Sequence, residues 1–172
     1  MQETTLNQQE RAHRIRLILF GGITLAIMVF IFIMSARDVE ASSRLSEGFL
    51  STLVGTLLGR FLPQLTEKGM EYDIRKYAHM FEYCCLSVSS FLFFRELYRK
   101  RARRGLSTAA SALALCILYA CSDEWHQTFV AGRFGRASDV LVDTVGSLIG
   151  LAAVGLLFLL YQRRQNKKKR VS

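Results

Sequence analysis

The 18 residues from Leu17 to Met34 form an apolar run interrupted only by Gly21, Gly22 and Thr24. Such a run leaves few folding options. A hydrocarbon core is crossed by about 20 mostly apolar residues in a helix, because only helices and closed barrels satisfy all their backbone polar groups without water. A cleaved signal peptide would carry a shorter apolar core and a small-residue cleavage site, and Ile33-Met34-Ser35-Ala36-Arg37 is a poor version of one. The run reads as an uncleaved signal anchor, a first span over about 16–35.

Three further spans are predicted. The second, about 74–94, begins charged and becomes apolar through Leu86, Val88, Phe91, Leu92, Phe93 and Phe94. The third, about 106–122, is rich in Ala and Leu. The fourth, about 140–161, contains Gly146, Gly150 and Gly155 and ends at Tyr161, a residue suited to the membrane interface. Between the first two spans, Leu45, Phe49, Leu53, Leu57 and Phe61 recur about every fourth position, a helical period. Their most apolar stretch is too short to span and carries Thr52, Thr56 and Arg60 before Pro63, so an interfacial or re-entrant helix is expected within 42–65. The expected fold is all-α: an integral membrane four-helix bundle with that extra helix between its first two spans. One membrane domain over 16–161 is flanked by basic tails at 1–15 and 162–172.

The chain holds 23 Lys and Arg against 14 Asp and Glu, so its net charge of +9 could be read as a nucleic-acid footprint. The positions of the bases argue otherwise. Arg11, Arg14 and Arg16 precede the first apolar run, Arg95 to Arg104 separate the second from the third, and Arg163 to Arg170 follow the fourth. Dense bases mark cytoplasmic segments, which puts both tails and the loop between the second and third spans inside and the other two loops outside. The expected location is the cell membrane, with several passes and both termini cytoplasmic. Cys84, Cys85, Cys116 and Cys121 lie within or beside helices and read as small apolar packing groups, not as a disulfide framework or a zinc site.

The polar residues inside the spans need a reason, since ionisable groups at membrane depth are costly unless paired or hydrated. Arg75, His79 and Glu82 form one helical stripe at the start of the second span, flanked by Lys76 and Tyr83. Tyr119, Asp123 and His126 share a face if the third helix continues, with Glu124 and Gln127 beside them and Trp125 at the interface. A loop with Arg133 and Arg136 leads to Asp139 and Asp143, four residues apart on the fourth helix, and Gly146 and Gly150 extend that face. By the topology above, all three clusters meet the outer leaflet, so they are expected to form one pocket.

That pocket admits three readings. His79, Glu82, Asp123, Glu124 and His126 are candidate acid/base residues, with Arg75, Lys76, Tyr83, Gln127, Arg133, Asp139 and Asp143 as substrate-binding groups for a lipid-linked phosphate or acyl substrate. No strong nucleophile accompanies them, and Ser122 is a weak candidate. Imidazole and carboxylate groups could also hold a metal, and the spacing leaves the presence of any metal or cofactor open. The bland reading is a salt-bridge and hydrogen-bond network that fixes helix packing. A proton path fits poorly, since no matching acid lies in the inner half.

The sequence resembles the VanZ-like family through Arg75-Lys76-x-x-His79-x-x-Glu82-Tyr83 and through Asp123-Glu124-x-His126-Gln127 with Gly132-Arg133, Asp139, Asp143 and Gly146. The likeness runs from Ser35 to about Leu151. One departure is the loop Val130-Ala131-Gly132-Arg133, where the family pattern would have a proline before the glycine. The resemblance implies a multi-pass bacterial membrane protein whose founding relative is linked to resistance to the glycopeptide teicoplanin. It implies membrane lipids or a lipid-linked cell-wall component as partner and supplies no established reaction.

Overall fold

The computed structural model describes the backbone of residues 2–36, 70–100, 104–131 and 133–171, and side chains within 7–36, 76–100, 105–131 and 133–167. The helix expected within 42–65 and Gly132 lie outside the described residues, as does the side chain of Arg75. Four helices make up the described fold: α1 Gln2–Ser35, α2 Met70–Leu97, α3 Arg104–Gln127 and α4 Ala137–Val171. The all-α expectation holds for them, and no strand occurs among the described residues.

Three of the helices are long and apolar enough to cross a membrane: α1 over Asn7–Ser35, α3 over Gly105–Gln127 and α4 over Ala137–Lys167. The second, α2, is not among them. Its sequence is diluted by Lys76, His79, Glu82 and the serines at 87, 89 and 90, and its position in the bundle explains how they are tolerated. Helix α2 packs against each of the other three, and Tyr83, Leu86, Ser87, Ser89, Ser90 and Phe91 are buried on it. Two of the buried hydroxyls donate to their own helix, Ser87 Oγ to the Cys84 carbonyl at 2.9 Å and Ser89 Oγ to the Leu86 carbonyl at 3.0 Å. The least apolar helix is thus the central one. The outward faces of α1 and α4 are apolar instead, with Ile18, Leu19, Leu25, Phe30, Leu148, Leu156 and Leu157 exposed. A belt of that kind suits hydrocarbon and would be an aggregation liability in water.

Helices α2 and α4 approach closely because α4 carries small residues where they meet. A Cβ on Gly146 would strike the Met80 backbone carbonyl, and one on Gly150 would strike the Cys84 carbonyl and the Ser87 hydroxyl. The spacing of four keeps both glycines on one face, as the sequence pattern requires. Gly155 has open space around it and plays no such part. Two apolar clusters line the bundle: Ile31, Tyr83, Leu86, Cys116 and Ala120 form one, and Phe91, Ala112 and Val154 the other. All four cysteines are free; Cys116 belongs to the core, whereas Cys121 points outward.

Helices α1 and α4 continue well beyond the spans read from hydropathy, so much of both basic tails is helical. At that end α1 and α2 are joined by ion pairs. Glu96 contacts His13 Nδ1 at 3.0 Å and Arg16 Nε at 3.4 Å, and Arg99 reaches Glu10 at 2.9 Å. Burial alone would push the Glu96 carboxyl up, but the His13 hydrogen bond and the Arg16 charge outweigh it and hold it below the usual carboxylate range.

Candidate functional site

The opposite end of the bundle gathers the C-terminus of α1, the start of α2, the end of α3 and the start of α4. Helix α3 does continue through Gln127, which carries Asp123, Glu124, His126 and Gln127 on regular helical spacing. Its last carbonyls then accept turn hydrogen bonds from Thr128, Phe129 and Val130 at 3.0 to 3.2 Å, which tightens the chain toward the Arg133 loop. Gly135 allows this return, because a Cβ there would collide with the Glu124 backbone carbonyl. Asp139 stands in the first turn of α4, where a negative charge is favoured by the helix dipole.

The polar residues of α3 divide between two faces. One face meets α1. Tyr119 donates its hydroxyl to the Met28 carbonyl, Ser35 Oγ donates to Asp123 Oδ2 at 2.7 Å, and the His126 ring lies 4.4 Å from that of Phe32, centroid to centroid. Arg133, buried to 5% exposure, donates from Nη2 to the Met34 carbonyl at 3.3 Å, one of the last carbonyls of α1. Its charge also acts on Glu82 and Asp123. Tyr83 sits in the adjoining core, its ring 6.3 Å from that of Tyr119.

The other face meets α2 and α4 across a small, partly open cleft lined by Lys76, His79, Glu124, Gln127, Asp139, Val142 and Asp143. Glu124 is fixed from two sides: Gln127 Nε2 donates to Oε1 at 3.2 Å and the Arg136 backbone N–H donates to Oε2 at 2.9 Å. The same Gln127 nitrogen donates to Asp123 Oδ2 at 3.0 Å, linking the two faces. His79 Nδ1 lies 3.8 Å from Glu82 Oε2, a pairing distance too long for a hydrogen bond. Asp143 is 1% exposed, and neither of its carboxylate oxygens has a hydrogen-bond partner among the described residues.

The sequence-derived candidates therefore meet at one end of the bundle but not in one cavity. Lys76, His79, Glu124, Gln127, Asp139 and Asp143 line the cleft. Asp123, His126 and Arg133 are turned to α1, Tyr83 is in the core, and Glu82 is beside His79 without lining the cleft. Among the described residues no group of three or more His, Cys, Asp or Glu side chains is placed to hold a metal. Sequence reasoning missed Ser35, a fully buried donor that hydropathy treats only as the end of an apolar run. It also missed the Met34 carbonyl and the Arg136 N–H, since backbone groups leave no mark in a motif.

A family model described as VanZ/LLP1 matches residues 20–161. No curated protein and no solved structure matches the chain. The match covers most of the chain, including the described ends of the three helices that line the cleft, and with the membrane-length helices it makes this a VanZ-like membrane protein: the chain belongs to the VanZ/LLP1 family.

Proposed function

We propose that the protein sits in the cell membrane with both termini cytoplasmic, and that the cleft between α2, α3 and α4 faces outward and engages an envelope lipid or lipid-linked cell-wall component. The observation that carries this reading is Asp143, a carboxylate buried in a cleft wall whose oxygens have no hydrogen-bond partner among the described residues. A packing role alone would be served by a group with donors, and Asp123 receives two, from Ser35 and Gln127, on its Oδ2, whereas neither Asp143 oxygen receives any among the described residues. The two roles divide by helix face. Asp123, His126 and Arg133 hold α1 to α3, while Lys76, His79, Asp139 and Asp143 meet the ligand.

The outward direction rests on the bases, which crowd the tails and the connection between α2 and α3 and are sparse beside the cleft. Family membership brings the glycopeptide setting, in which the cleft acts by engaging an envelope component rather than by modifying the drug. The reading is tested in a bacterial host where the wild-type chain raises tolerance to teicoplanin. His79→Ala and Asp139→Asn, at half-buried positions on the cleft, abolish the protection while leaving the amount of membrane-inserted protein unchanged. Full protection by both variants overturns the reading, and a reporter fused after Ser172 that is active only outside the cell overturns the orientation.

A further inference from the structure

We propose that the group seated in the cleft is an ammonium on a short stem, held by Asp143 with Asp139 at its side; this rests on the reading of the cleft as a ligand site. Three carboxylates line the cleft, Glu124, Asp139 and Asp143, against one lysine, Lys76. Glu124 already has both oxygens occupied by N–H donors. Asp143 has no donor on either oxygen among the described residues, although it is almost completely buried. Burying a carboxylate without donors is costly. Protonation does not remove the demand, because a carboxylic acid has one O–H and its carbonyl oxygen still needs a donor.

The missing partner must therefore bring several N–H or O–H donors, and positive charge if it is to match the excess of acids. A bare metal ion fits poorly, since no three metal-ligating side chains converge among the described residues. An alkylammonium brings three donors and one charge without a fixed coordination geometry. Its neighbours in the ligand are constrained too. Lys76 borders the same cleft and suits a phosphate adjoining the amine, so a phosphoethanolamine-type headgroup matches both signs of the lining. A quaternary ammonium has no N–H and leaves Asp143 unanswered.

The test uses the full chain in nanodiscs made with equal parts phosphatidylethanolamine, phosphatidylcholine and phosphatidylglycerol, released into the gas phase for mass spectrometry of retained lipid. Free phosphoethanolamine and ethanolamine are assayed separately for thermal protection of detergent-solubilised protein. Phosphatidylethanolamine is expected to be retained about tenfold over phosphatidylcholine, the scale of one charge-assisted hydrogen bond. Asp143→Asn and Asp139→Asn abolish that preference. The second variant lies at a less buried position and keeps the test valid should the first fail to fold.

Protection by the free amines with the same dependence on the two aspartates, and no lipid preference, also supports the ammonium and assigns it to a soluble source. Preferential retention of phosphatidylglycerol that the aspartate variants alter overturns the ammonium and leaves the envelope-lipid reading standing. No selective retention of any lipid and no protection by either amine overturns this inference, while the teicoplanin assay judges the cleft independently.

Discussion

The two ends of the bundle use the same residue types in opposite ways. At the tail end, Glu96, His13, Arg16, Glu10 and Arg99 form ion pairs that remain partly exposed, with Arg16 47% and the Glu10 side chain 52% accessible. At the cleft end, Asp123, Glu124, Gln127, Arg133 and Asp143 are all buried. Water screens and replaces the first set at little cost. Nothing replaces the second set, so a group there that has a neighbour depends on it and the loss of that neighbour is felt in full. The end that tolerates change anchors the helices; the end that does not is where a ligand would make a difference.

The largest expected effect tests that contrast directly. Arg133→Ala removes the donor to the Met34 carbonyl and a buried positive charge that acts on Glu82 and Asp123, and leaving buried acids without that charge costs about 3 kcal/mol or more. Heating of detergent-solubilised protein, followed by the fraction that stays monodisperse, would show a large fall in the midpoint. A shift no greater than that of a tail-end variant breaks the comparison. An intermediate effect is expected from Ser35→Ala, which takes one of two donors from Asp123 Oδ2 at about 2 kcal/mol for a hydrogen bond to a charged group.

The smallest effect belongs to Glu96→Gln, below about 1 kcal/mol because the Arg16 partner is half-exposed and an amide can still hydrogen-bond His13, and weaker still at high salt. Its pH dependence has a definite sign. Because the folded-state carboxyl is held below its unfolded value, the stabilisation is fully present above about pH 4.3 and is lost as pH falls through the lower, folded pKa. The difference in midpoint between wild type and Glu96→Gln should therefore vanish on acidification below that range. A difference that grows on acidification would contradict the depressed carboxyl.

Much of this organisation is legible in the chain. The apolar runs of α1, α3 and α4 can be read from composition alone, and the Gly146 and Gly150 pair announces a close helix contact that the structure makes with α2. Hydropathy is less informative about α2, since the same polar residues that lower its score are the ones its central position shelters. The convergence of the three polar clusters was also readable, because short connections and alternating spans return the relevant helix ends to one side. What the motifs could not divide was the cluster itself. Asp123 and Glu124 are adjacent, yet one turns to Ser35 of α1 and the other to the cleft.

By itself, then, the sequence determined which segments are helical and apolar and which polar residues lie at one end of them, because hydropathy and helical period are local properties. Only the tertiary structure decided which acid is answered. Asp123 receives Ser35 and Gln127 on its Oδ2, whereas Asp143 receives nothing on either oxygen from the described residues. That outcome depends on the rotation of each helix about its own axis, which the seating of Gly146 and Gly150 against the backbone of α2 helps to fix. Rotation is set by contacts between distant parts of the chain, and no local pattern records it.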